Sequence, residues 1–112
     1  MKIQHYTQTR PEPVAEGPGI TVRWVVGKED GAPHFAMRVF EVEPGHSTPY
    51  HSHAWEHEVF VLTGEGTVRH EVEQETAVSH GSVVFVPGME PHQFINRGDG
   101  ILRFICLVPI EG

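Results

Sequence analysis

Short alternating segments punctuated by glycine and proline run through this chain, and no window carries a helical period together with helix caps. Ile20 to Val26, His34 to Glu43, Glu58 to Thr63, Thr67 to Val72, Val83 to Val86, His92 to Asn96 and Ile101 to Val108 read as strands. Between them lie turn clusters such as Asp30-Gly31, Pro44-Gly45 and Pro87-Gly88. Gly64-Glu65-Gly66 reads as a hairpin turn joining 58–63 to 67–72, and Arg97-Gly98-Asp99-Gly100 as a second hairpin turn. Glu71 to Val78 fits an edge strand and turn. With 12 Gly and 9 Pro in 112 residues, and a hydrophobic fraction of 38%, strands and turns are favoured over a helix bundle. One core is all that this length supports. The expectation is a single all-β domain, closed or sandwiched, with an extended polar arm over 1–19 and the β-domain over 20–112.

Charge and composition remove several classes of function. The net charge is −7 with histidines neutral, and no run of Lys or Arg occurs, so a nucleic-acid partner is not expected. No apolar run approaches the ~20 residues of a membrane span, so no membrane partner is expected either. Met1-Lys2-Ile3-Gln4-His5 does not open a signal peptide, and Cys106 is the one cysteine; both point to the cytoplasm.

The chemistry concentrates at His51-Ser52-His53-Ala54-Trp55-Glu56-His57-Glu58. Three imidazoles at i, i+2 and i+6 fall on one face of a strand, because successive side chains alternate. His92 sits in a second turn-and-strand setting downstream. Neutral imidazoles converging on one point make a transition-metal site. His5, His34, His46, His70 and His80 read as surface or turn residues. The serines lack a nucleophile-elbow context, and Gly64-x-Gly66 alone is too weak for nucleotide binding, so catalysis would run through the metal.

Two spacings together resemble the cupin superfamily. Gly45-x5-His51-x-His53-x3-His57 (or -x4-Glu58), followed by Gly64, is similar to its first motif, and Gly81-x5-Pro87-x4-His92-x3-Asn96 to its second. The family's usual glycine two residues after the motif proline is Met89 here, with Gly88 one place earlier. The resemblance implies a double-stranded β-helix, a jelly-roll barrel. H-S-H-x-W-E-H-E-x-F-V-L, with the V-E-P-G lead-in and the F-x-C-L-x-P ending, resembles more closely a small single-domain bacterial subgroup that binds manganese through four histidines. Relatives of this kind are commonly homodimers. The Pro-rich arm would suit packing along a partner's sheet edge.

The resemblance leaves two ligand sets: His51, His53, Glu58 and His92, or His51, His53, His57 and His92. Strand parity and the subgroup favour His57, whereas a bulge between 54 and 56 would favour Glu58. Four neutral imidazoles would leave the full dipositive charge on the ion. The cofactor expected is one divalent transition metal. Manganese is implied by resemblance alone, since imidazoles suit Fe, Ni, Cu and Zn at least as well.

Alternation extends the reading to the surroundings. If His92 points inward, so do Phe94 and Asn96; if Arg103 faces solvent, Leu102, Phe104, Cys106 and Val108 face in. Phe94, Phe104, Cys106 and Val108 would then line an apolar pocket for a small hydrophobic or aromatic substrate, or simply fill the barrel. Arg38 could anchor a substrate carboxylate, and Trp55 could wall the site. The function expected first is a metal-dependent enzyme with oxygenase-type, oxidoreductase chemistry on such a substrate. The alternatives are a Lewis-acid lyase or isomerase, and a module that binds or senses a small ligand without turnover.

Overall fold

The computed structural model describes residues 1–71 and 74–110. Val72 and Glu73, inside the segments expected over 67–72 and 71–78, and Glu111 and Gly112 lie outside the described residues. Among the described residues the strands are β1 (Glu12–Val14), β2 (Gly17–Val26), β3 (Phe35–Val42), β4 (His57–Thr63), β5 (Glu65–His70), β6 (Gln74–Ser79), β7 (Val83–Val86), β8 (His92–Asn96) and β9 (Leu102–Pro109). They form two antiparallel sheets, one ordered β1-β2-β3-β9-β4-β7 and the other β6-β5-β8. This is the all-β, double-sheet jelly-roll arrangement of a double-stranded β-helix. Only two short 3-10 turns, Tyr6–Gln8 and Lys28–Asp30, interrupt the β structure among the described residues, and no helix there is long and apolar enough to cross a membrane.

Both expected hairpins are corrected by the strand pairing. β4 and β5 flank Gly64 but belong to different sheets, as do β8 and β9 around the 97–100 turn. The chain uses these turns to cross between layers, which glycine permits as readily as it permits a hairpin. Gly64 has φ +96°, and a Cβ there would lie 2.5 Å from the carbonyl oxygen of Ile101, so the corner is built on backbone-to-backbone approach. β5 pairs instead with β6, matching Glu65 with Ser79 and His70 with Gln74.

Alternation along β9 and β4 fills the space between the sheets. Leu102, Phe104, Cys106 and Val108 are buried while Arg103, Ile105 and Leu107 are half-exposed. Val59, Val61, Val42, Ile20, Val68 and Phe94 complete the core. Phe104 stacks on Phe94 of the opposite sheet with ring centroids 4.7 Å apart and on Phe40 at 5.3 Å. The ladder thus joins β8, β9 and β3, and each stacked pair adds roughly 0.5–1.5 kcal/mol beyond area burial. Asn96, expected to face inward, is buried and donates from Nδ2 to the carbonyls of Val42 and Gly100, which locks the turn after β8.

The first nineteen residues are more structured than an extended arm. β1 pairs with β2, and β2 begins at Gly17. Lys2 and Tyr6 fold back over the outer face of the chain's own large sheet. Lys2 Nζ donates to the Val25 carbonyl, and the guanidinium groups of Arg23 and Arg103 lie 5.3 and 5.5 Å from the Tyr6 ring. Glu41 pairs with both arginines beneath that ring, at 2.8 and 2.7 Å.

Candidate metal centre and its cavity

His51 and His92 are joined by an isolated antiparallel bridge, which sets the chain before β4 against the start of β8. The strand assumed over 51–57 is not formed: His51 makes a single bridge, residues 52–56 lie outside any strand with a bend at 54–55, and β4 starts at His57. A Cβ on Gly88 would lie 2.4 Å from the Ala54 carbonyl oxygen, so the turn after Pro87 presses directly against this bend. Tight turn packing, more than strand parity, brings the imidazoles together.

Donor nitrogens of His51, His53 and His92 all lie within 4.8 Å of one another. Their ring centroids are 5.0–5.3 Å apart. His57 is buried against this group, its ring centroid 4.2 Å from that of His53 and 5.4 Å from that of His92. Its Nε2 touches His53 Nε2, but it does not join the three-nitrogen cluster. Glu58 points the other way: it is exposed on the outer face of β4 and lines a shallow groove with Glu56, His34 and Leu107.

The donor set fits a divalent transition metal in its chemistry as well as its spacing. His53 Nδ1 lies 3.0 Å from the Trp55 carbonyl, and His92 Nδ1 lies 2.9 Å from the Glu90 carbonyl. A carbonyl only accepts, so both Nδ1 atoms carry the proton and donate it, leaving each Nε2 with a free lone pair. Burial holds the pKa of His51, His57 and His92 below the ordinary imidazole value. For His57 the Arg38 cation adds to burial, neighbouring imidazoles follow, and the pKa falls to about 3. All three are therefore neutral at pH 7, the protonation state that binds metal.

His57 has a different outer neighbourhood. Its Nδ1 lies 3.2 Å from Arg38 Nη2 and 3.1 Å from Cys106 Sγ, and the same Arg38 nitrogen donates to that sulfur at 3.1 Å. Burial pushes the Cys106 thiol up, against the smaller opposing pull of Arg38. The Arg38 guanidinium lies 5.2 Å from the Trp24 ring and 4.8 Å from the Phe40 ring. Its Nε is buried with no hydrogen-bond partner. Leaving such a donor unpaired costs about 1–3 kcal/mol.

These residues surround a cavity of about 210 Å³. Arg38, Trp55, Phe94, Phe104 and Cys106 line it together with His51, His53, His57 and His92. Trp55 stacks flat on His53, with centroids 4.5 Å apart and planes 4° from parallel. Val108 is a correction: it is buried on the same face of β9 but lines other depressions, because the strand has left the cavity by that point. Val14, Phe40, Thr48 and Pro49 also line the cavity and were not foreseen. Phe40 could have been found, since it shares strand parity with Arg38. Val14 reaches the cavity from β1 through long-range pairing that leaves no local signal. The remaining histidines stay outside the site, and His46 packs in a turn where any Cβ on Gly19 would strike its ring.

Comparison with known proteins gives the same outline. Residues 38–108 match the family described as "Cupin domain". The structure of the polyketide cyclase RemF from Streptomyces resistomycificus superimposes with a TM-score of 0.93 at 35% identity, over 99% of this chain and 80% of that one. The 1-methylthio-D-xylulose 5-phosphate methylsulfurylase of Rhodospirillum rubrum is 36% identical over 77 residues, 67% of this chain and 47% of that protein. An oxalate-binding protein of Thermotoga maritima is 32% identical over 81 residues, 69% of this chain and 66% of that protein. The chain thus spans about half the length of the first of these two relatives and just under two thirds of the second.

Proposed function

We propose, from the premise that this chain belongs to the cupin family, that it is a metal-dependent enzyme for planar aromatic or apolar substrates rich in carbonyl or hydroxyl oxygen, with redox-neutral, cyclase-type chemistry. The observation that carries the proposal is the meeting of three imidazole donors with an aromatic-walled cavity. His51, His53 and His92 would hold the ion, with His57 as the fourth donor, as in the four-histidine subgroup. When bound, the metal supplies Lewis acidity toward substrate oxygens, and manganese or zinc would serve equally in that role.

The chain's own residues supply the rest. Phe40, Phe94 and Phe104 offer a stacked wall that orients a flat substrate. Trp55, braced on His53, closes the mouth beside the exposed His51. Arg38 presents a cation to the substrate's developing negative oxygen, in a setting where burial strengthens the interaction. Likeness to a polyketide cyclase over nearly the whole chain supports this class. So does Cys106: a thiol on the cavity wall is a target wherever peroxide or oxygen is activated. The oxygenase-type reading stands second. It is favoured by one observation, that no carboxylate lines the cavity among the described residues to act as general base.

The test is a linear aryl triketone offered to the zinc-loaded protein under nitrogen. The expected outcome is ring closure to an aryl resorcinol: the terminal methyl carbon bonds to the aryl carbonyl carbon and one water leaves. That activity should vanish in His92→Ala. Turnover only with oxygen and a redox-active metal would establish the second reading instead, and a protein that retains no metal after purification or reconstitution would sink both.

A further inference from the structure

A second depression, of about 400 Å³, lies beside the metal cavity. Trp24, Gly27, Lys28 and Ile110 line it, and it shares Arg38 and Trp55 with the inner cavity. Arg38 and Trp55 are thus the residues common to the two linings. The Arg38 guanidinium lies 5.2 Å from the Trp24 ring, which lines the outer space, and 4.8 Å from the Phe40 ring, which lines the inner one. The outer wall carries exposed aromatic and apolar surface, with Trp24 48% exposed, and no carboxylate lines it among the described residues.

The inner cavity, at about 210 Å³, is small for a substrate site. Small-molecule sites usually run from ~300 Å³ upward. The inner cavity falls below that range and the outer depression falls within it.

We infer that the outer depression is the distal half of the substrate site: it takes the far rings of an elongated planar aromatic ligand whose oxygen-bearing end lies at the histidines. The inference rests on the proposed metal-site reading and adds the ligand's length and shape. A flat ligand crossing from one compartment to the other passes along the Arg38 guanidinium, which already lies against a ring from each lining. Lys28 at the outer rim matches an anionic far end, in a chain whose net charge of −7 otherwise repels acids.

Gly27 provides a clean test. Its backbone is extended, at φ −160°, and an added Cβ would meet no atom within 4 Å. Gly27→Leu therefore fills outer space without strain. The probes are a hydroxynaphthoate and its one-ring-longer homologue, a hydroxyanthracene carboxylate, each with adjacent hydroxyl and carboxylate groups to chelate zinc. Titrated into the zinc-loaded full chain, the longer probe should bind at least ~10-fold more tightly. Gly27→Leu should erase that advantage while leaving the shorter probe's affinity unchanged. Trp24→Ala, which removes an outer-wall ring that does not line the inner cavity, should likewise weaken the longer probe and leave the shorter probe's affinity unchanged, a readout that does not depend on how Gly27→Leu folds. Equal affinity of the two probes for the wild-type chain, an equal loss of both in Gly27→Leu, or wild-type affinity for the longer probe in Trp24→Ala overturns the inference while leaving the metal site intact. Failure of both probes to bind the zinc-loaded chain overturns the metal-site reading and this inference with it.

Discussion

Cys106→Ala tests how His57 could become a ligand at all. His53 Nε2 is a lone-pair acceptor, because its Nδ1 proton is committed to the Trp55 carbonyl. Without metal, His57 Nε2 therefore donates its proton to His53, and His57 Nδ1 accepts from Arg38, which can only donate. Binding a metal through Nε2 requires the opposite tautomer, with the proton on Nδ1. The neighbour able to accept that proton's hydrogen bond is Cys106 Sγ, at 3.1 Å. Removing the sulfur leaves Nδ1–H facing a guanidinium, so the ligating tautomer loses its partner. Loss of an outer-sphere partner of this kind weakens metal binding by about 10–100-fold, or about 1.4–2.8 kcal/mol. The assay is chelator-competition titration of cobalt(II), with the visible spectrum reporting donor number and geometry. Cys106→Ala should match His57→Ala in both affinity and spectrum, and the double variant should be no worse than either. Cys106→Ser, whose hydroxyl can accept the same proton, should recover much of the loss. Wild-type affinity and spectrum in Cys106→Ala, alongside impaired binding in His57→Ala, would refute the reasoning.

Other outcomes follow from the same geometry. Glu58→Ala should leave metal content unchanged, since its carboxylate lies on the outer face of β4, whereas His51→Ala should reduce it severely; elemental analysis of the two purified variants decides the point. Metal-free protein should lose stability as pH falls below about 6.5. The unfolded chain takes up protons on His51, His57 and His92 there, while folded His57 resists until about pH 3, giving up to ~1.4 kcal/mol per pH unit for one site. A urea midpoint that stays flat between pH 7 and 5 would contradict this, and that window lies above the range where Asp30 and Glu75 titrate. Phe104→Ala should cost ~3–5 kcal/mol in chemical denaturation, because a side chain 2% exposed and stacked on two rings leaves a cavity that valines cannot close. A homodimer is the expected assembly. Phe60, Val83 and Phe85 are exposed together on the neighbouring strands β4 and β7, so light scattering should give twice the chain mass and Phe85→Glu should halve it.

The parts of this molecule legible in its sequence are those whose signal is short-range. β3, β4, β7, β8 and β9 fall within a residue or two of the alternating segments, because one face of each strand is buried and alternation records it. His51, His53, His57 and His92 stood out because one short segment carries three of them. The pairing of strands was not legible in the same way. A glycine that turns a hairpin and a glycine that carries the chain to the other sheet have the same local requirement. Gly64 could therefore be read as a turn but not assigned to either, until the approach of Ile101 decided it.

The cavity shows the same division at the level of chemistry. Residues on β8 and β9 were accessible to parity, so Phe94, Phe104 and Cys106 could be placed facing in. Parity says which face a side chain takes, however, and not how far along the strand the cavity extends. Val108 shares the buried face of Cys106 yet borders the depressions at the strand's end. Val14 lies more than thirty residues before the first metal-site histidine and reaches the cavity only because β1 pairs with β2. Ligand identity is thus written in a few neighbouring residues, whereas the dimensions of the space around them are set by strand register. For a cupin this matters, since a metal centre alone permits many reactions and the shape of the surrounding space selects among substrates. Arg38, placed by the register of β3, and Trp55, placed by the turn before β4, line both compartments and are where that selection would act.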